Sequence, residues 1–185
     1  MSKKNALLPK PKPLPVMINC DIEVKNKKWL KHLLIVNFIE KSINDIVSYS
    51  LLKKYLKDNN FLQVNISLVS NAQMQKINFR YRGKNEPTNV LSFANLDEKE
   101  IKELGIKKII NNLNHLVLGD IVLALETIEQ EAINRKKEFN NHLIHLLVHA
   151  ILHLIGYDHE KEPEAIEMQS YEIKILKKFK ILNPY

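Results

Sequence analysis

From Asn140 to Ile155 almost every residue is apolar or a histidine, and the only polar pair stands at the very start. A helix that is apolar on all sides has to be enclosed by the rest of its fold. At this length it is too short to cross a membrane instead. The other elements must therefore be arranged around it, and its histidines travel with it toward the interior. Two of them, His149 and His153, are four residues apart. One helical turn separates them, about 6 Å of rise, so they project from one face. Gly156 follows and tolerates positive φ, which lets it end the helix and turn the chain back. Tyr157 and Asp158 then bring His159 round toward the same point. Three neutral imidazoles can hold a zinc-sized cation and leave a fourth position for water, the pattern of a catalytic centre rather than a closed structural one.

The spacing is similar to that of the metzincin metalloproteases, H-E-x-x-H-x-x-G-x-x-H, but Ala150 stands where they carry glutamate. Without that carboxylate the peptidase loses its general base, while the cage for the metal is kept. A lone histidine on an apolar helix is ordinarily a packed core residue. Three at this spacing with glycine at the turn are a ligand set. His142 and His145 precede them on the same helix and read as packed residues, with His145 one turn before His149 and within reach of a ligand.

The 185 residues fit one domain with a sizeable core, residues 16–185, behind a Lys- and Pro-rich leader at 1–15 that reads as disordered. That leader lacks the apolar stretch of a secretory signal, and no apolar run reaches the length of a membrane span. Cys20 is the only cysteine, so an intrachain disulfide and a cysteine-rich zinc site are both excluded, and a reducing cytoplasm is the expected setting. The net charge of +7 favours polyanionic partners, although scattered lysines alone usually just solvate a surface. The arginines say more. Only Arg80, Arg82 and Arg135 occur, and a chain that otherwise uses lysine has kept guanidinium groups where planar, bidentate contact with phosphate or carboxylate is useful.

Alternation and β-branched content predict strands over 16–24, 61–69, 88–93 and 115–124, the last interrupted at Gly119-Asp120. Helical periodicity covers 28–56, broken near 42–44, then 71–79 with Asn71 as its cap, 97–104, 126–137, 140–155, and a final helix opened by Pro163. Residues 105–114 read as an irregular connection. The sum is an α+β fold: a small mixed sheet of about four strands packed by five or six helices, with the histidine-bearing helix buried at the centre.

With these residues in place, the chain resembles the YbeY family of bacterial rRNA-maturation endoribonucleases. The family's zinc motif H-G-x-L-H-L-x-G-Y-D-H is matched by residues 149–159 except at Ala150. The block Y-R-G-K-D-x-P-T-N-V-L-S-F is matched by residues 81–93 except at Asn85, and G-D-I/L-V by residues 119–122. Ala94 also replaces a frequent proline, and the stretch 95–114 differs in length. The resemblance implies one Zn²⁺ per chain held by His149, His153 and His159, and a positive cleft for single-stranded RNA. It implies a functional arginine at Arg82 and activity on rRNA, at the 3′ end of small-subunit (16S) rRNA, with a role in ribosome quality control. The expected partners are the small ribosomal subunit or its assembly factors.

In that reading Arg82 and His149 carry the chemistry, and Arg82, Ser92 and Phe93 contact substrate. Asp158 either orients a ligand or simply caps the helix exit, and Asp120 either lines the cleft or marks a bend. Two rivals stand beside it. One is a metal-dependent hydrolase of another ester or amide. The other is an RNA- or ribosome-binding assembly factor whose metal only supports the fold. Three imidazoles also suit nickel or copper.

Overall fold

The computed structural model describes residues 16–57, 60–97, 101, 105–112 and 115–185. The leader at 1–15 and most of the helix expected over 97–104 lie outside the described residues. Strands β1 (Met17–Val24), β2 (Phe61–Val69), β3 (Val90–Ala94) and β4 (His115–Ala124) form one sheet in the order β1-β2-β4-β3. β1 and β2 are parallel, as are β2 and β4, while β3 runs antiparallel to β4. Among the described residues the α-helices are α1 (Ile35–Tyr49), α2 (Asn71–Arg82), α3 (Ile106–Asn112), α4 (Leu125–Asn134), α5 (Phe139–Leu154) and α6 (Glu162–Lys178). The fold is α+β, with the mixed four-stranded sheet that the sequence predicts.

Period-two alternation decides which face of the sheet is covered. In β2, Leu62, Val64, Ile66 and Leu68 are buried, whereas Gln63, Asn65 and Ser67 on the other face are only half-buried. The apolar face joins Trp29, α1, α4 and α6 in one core around α5. α5 itself buries Leu143, Leu147, Val148, Ala150, Ile151 and Leu154 completely, so it is the enclosed centre that its composition demands. α2 closes one end of the opposite face, where Met74, Leu91, Val122 and Phe93 meet.

Three boundaries differ from the sequence reading. α1 is unbroken through Ser42, because that hydroxyl donates to the Phe38 carbonyl at 2.8 Å and stays satisfied within the helix. The interruption comes at Ser50, before a 3₁₀ turn over Leu51–Lys54. The cap of α2 is Ser70, not Asn71: Ser70 and Gln73 form a reciprocal capping box. Asn71 instead accepts from the backbone N–H and hydroxyl of Thr127, tying α2 to α4. Residues 106–112 are helical rather than irregular, since Ile109 and Ile110 supply a buried face.

The Gly119-Asp120 pair does not end β4; the strand absorbs it as a bulge opposite Gln63 and Val64. Gly119 has φ of 144°, and a Cβ there would stand 2.1 Å from the Phe93 carbonyl oxygen. Only glycine lets β3 lie this close to β4 at that level.

Candidate metal centre and cleft

α5 ends in the way that its sequence predicts. Gly156 has φ of 92°, and the Tyr157 N–H donates back to the Leu152 carbonyl at 3.0 Å, closing a Schellman-type turn. That reversal carries His159 over the last turn of α5. The ligand atoms of His149, His153 and His159 all lie within 4.8 Å of one another. The Nε2 atoms of His149 and His153 are 3.1 Å apart. Two nitrogens bound to one tetrahedral cation at 2.0–2.1 Å would be separated by about 3.3 Å. The donor set therefore fits a single metal ion.

The protonation chemistry fits as well. His149 Nδ1–H donates to Glu172 Oε1 at 2.8 Å, which leaves Nε2 with its lone pair toward the other two rings. Burial, then the neighbouring His149 and His159, push His153 down to about 4, so it stays neutral and able to ligate near neutral pH. Glu172 is fully buried, and its other oxygen accepts from the Tyr185 hydroxyl. Such a carboxylate behind a ligating imidazole fixes ring orientation and tautomer and raises the basicity of the ligand. The sequence reading missed Glu172, yet a signal was there: it sits between Met168 and Ile175 on the apolar stripe of α6, where a charged residue needs a reason. Tyr185 comes from the last residue of the chain, with no local pattern to announce it.

Above the three histidines lies a cleft of about 1180 Å³. Arg82, at the last position of α2, and Ser92, on β3, line it together with His149, His153 and His159. Phe93 does not line the cleft. The strand alternation that turns Ser92 inward turns Phe93 to the other face, against Tyr81 at 4.9 Å between centroids. Asp158 lines the rim, where its carboxylate accepts from the His159 N–H at 2.8 Å. That bond makes it a turn residue; the carboxylate on a candidate ligand is Glu172. Asp120 is exposed on the outer face of the sheet and accepts from Asn65 at 2.9 Å, away from the cleft. Ala150 is fully buried in the core, so its replacement of glycine does not alter the cleft wall.

Charge is divided along α5. At its C-terminal end the cleft is lined by Asp158, Glu160, Glu164 and Glu167, with Lys161 among them. Toward its N-terminal end stand Arg135, His142 and His145, with Asn89. Here Glu131 accepts from His142 Nε2–H at 2.8 Å and from the Asn89 amide at 2.9 Å. Burial raises the Glu131 carboxyl, but these two donors, together with the charges of His142 and Arg135, outweigh it and hold the group below the usual carboxylate range. His145 is pushed down to about 3 by its burial and, after that, by His149, Lys137, His142 and Arg135.

Two imidazoles rooted in a core helix and a third on the turn that follows it, backed by a buried carboxylate and opening into a cleft with two guanidinium groups, define a protein that can hold one metal ion beside an anionic ligand. The chain belongs to the endoribonuclease YbeY family, whose model matches residues 23–180. Endoribonuclease YbeY of Bartonella bacilliformis is 38% identical over 169 residues, 91% of this chain and 98% of that protein. The enzyme of the same name from Francisella tularensis subsp. holarctica is 40% identical over 156 residues, 81% of this chain and 91% of its own. The solution structure of TM1509 from Thermotoga maritima matches with a TM-score of 0.48 at 25% identity, over 89% of this chain and 92% of that one. Proteins named endoribonucleases are hydrolases that cleave phosphodiester bonds within RNA. Among the described residues no helix is long and apolar enough to cross a membrane.

Proposed function

We propose that this chain is a zinc-dependent, single-strand-specific endoribonuclease. It acts in the cytoplasm on rRNA, at the 3′ end of small-subunit rRNA, and serves ribosome quality control in association with the small subunit or its assembly factors. One observation carries the reading: three imidazole ligand atoms within 4.8 Å of one another at the base of a cleft that also holds Arg82, in a member of the YbeY family. His149, His153 and His159 would hold the metal. Bound there, Zn²⁺ supplies Lewis acidity toward a phosphoryl oxygen or water, and imidazole-rich coordination with an open position favours it over harder cations.

The rest of the chemistry belongs to the chain. Arg82 reaches the cleft as an exposed guanidinium on a rigid helix end, placed to pair with non-bridging phosphate oxygens and with the charge that grows on them during displacement. Ser92 offers a hydroxyl to the sugar or phosphate from the neighbouring strand. Glu172 holds His149 in one tautomer and one orientation, so no reorganisation is needed as charge develops. The single-strand reading is supported by the placement of the three histidines within a cleft, which an unpaired strand enters more readily than a duplex.

Metal analysis of the purified protein, paired with RNA cleavage before and after chelation, tests this. One zinc per chain is expected, with cleavage lost on chelation and restored by Zn²⁺. His149→Ala should lose both metal and cleavage. Cleavage that survives undiminished in metal-stripped His149→Ala protein would defeat the proposal.

A further inference from the structure

We infer that Arg135 and His145 form a second phosphate subsite, about one helical turn along α5 from the metal centre, which takes a phosphodiester next to the one being cleaved. The inference rests on the nuclease reading of the cleft and says which way the RNA strand leaves it.

Three observations support it. First, His145 is nine-tenths buried, lines the cleft, and its ring makes no hydrogen bond among the described residues. Its Nδ1 is sealed in the interior without a partner. Leaving a bare lone pair there costs less than burying an unpaired N–H, so the proton sits on Nε2, the nitrogen on the cleft side. The ring thus presents a donor to whatever occupies the cleft, and nothing among the described residues accepts from it. Second, Arg135 makes no side-chain hydrogen bond or close ion pair among the described residues. Its charge is felt by Glu131, but the hydrogen bonds to that carboxylate come from His142 and Asn89, so the N–H donors of the guanidinium are left for a ligand. Two of the three arginines of this lysine-rich chain, Arg82 and Arg135, line the same cleft.

Third, the ligand's chemistry and direction follow from the charge division along α5. An imidazole that offers the cleft only its N–H, and a planar guanidinium lining the same cleft, match an acceptor-only group with several oxygens, which is a phosphodiester. The acidic rim at Asp158, Glu160 and Glu164 repels a polyanion, so the strand extends toward the N-terminal end of α5. One turn between His145 and His149, about 6 Å, is comparable with the spacing of successive phosphates along an extended single strand.

Binding of metal-free protein to a fluorescent single-stranded hexaribonucleotide, followed by anisotropy over a range of salt, tests the subsite without cleavage. Arg135→Gln should weaken binding roughly tenfold and reduce the slope of log Kd against log salt by about one. On a dinucleoside monophosphate, which has only the scissile phosphate, the same variant should keep its kcat/KM. His145→Leu, confirmed as folded by circular dichroism, should show a similar binding loss with unchanged metal stoichiometry. Unaltered affinity and slope in Arg135→Gln would overturn the subsite. So would an equal loss on the dinucleoside monophosphate, which would put Arg135 at the scissile phosphate, or a fall in metal content in His145→Leu. Wild-type protein that binds the hexamer with the full salt slope but cleaves neither substrate would fail the nuclease reading alone, leaving the binding result to judge the subsite.

Discussion

Replacing Glu172 with glutamine separates support of the metal from support of the fold. The wild-type carboxylate is fully buried, accepts from His149 Nδ1–H at 2.8 Å, and takes the Tyr185 hydroxyl on its second oxygen. The amide has nearly the same volume and can still accept from His149, so no cavity opens. What is lost is the negative charge behind the imidazole, together with the certainty of the tautomer, because the amide can turn its NH₂ toward the ring. Loss of such a partner typically lowers metal affinity 10–100-fold, or about 1.4–2.8 kcal/mol. The metal-free fold should change little, since a buried carboxylate that has to be desolvated is replaced by a neutral group of the same shape. A competitive chelator titration measures the first quantity and a urea melt of the metal-free protein the second. Unchanged affinity in a folded Glu172→Gln variant would refute the claim that this carboxylate holds His149 for ligation.

Other outcomes follow from the same geometry. Arg82→Ala should retain one metal per chain while RNA cleavage falls by roughly 10²–10³, the usual effect of removing one donor to developing charge; equal loss of metal would assign Arg82 a structural role. Gly119→Ala should destabilise the fold by more than about 3 kcal/mol in a urea melt, because the new Cβ meets the Phe93 carbonyl at 2.1 Å with φ at 144°; a cost below about 1 kcal/mol would mean that β3 and β4 separate freely. The low-lying Glu131 carboxyl contributes stability that is present above the ordinary carboxylate range and is lost as pH falls through its own lower titration. Glu131→Gln should therefore flatten the acid limb of a stability–pH profile, and an unchanged limb would refute the pairing with His142 and Asn89.

The sequence makes the strands and the central helix plain because both are written in periodicity. β2 alternates strictly, and α5 is apolar on every face. What it hides is satisfied locally by groups whose partners are distant or unexpected. Ser42 reads as a break until its hydroxyl is seen returning to Phe38. Gly119 reads as an interruption, whereas its missing side chain is what admits β3. The ligand trio is legible because its members are close in sequence, on one helix and the turn that follows. Glu172 and Tyr185 reach the same centre from 13 and 26 residues beyond His159, so only the packing of α6 and the last residues against α5 reveals them. Phe93 shows the limit of motif reasoning: it adjoins Ser92 in sequence, yet the pleat sends it to the opposite side of the sheet.

The placement of His149 and His153 on an enclosed helix has a consequence for redesign. A substitution in the hydrophobic interior of α5 reaches the candidate ligands directly, because the two share one helical backbone. Exposed residues at the cleft margin, such as Arg135, can instead be exchanged with the anchor beneath left in place.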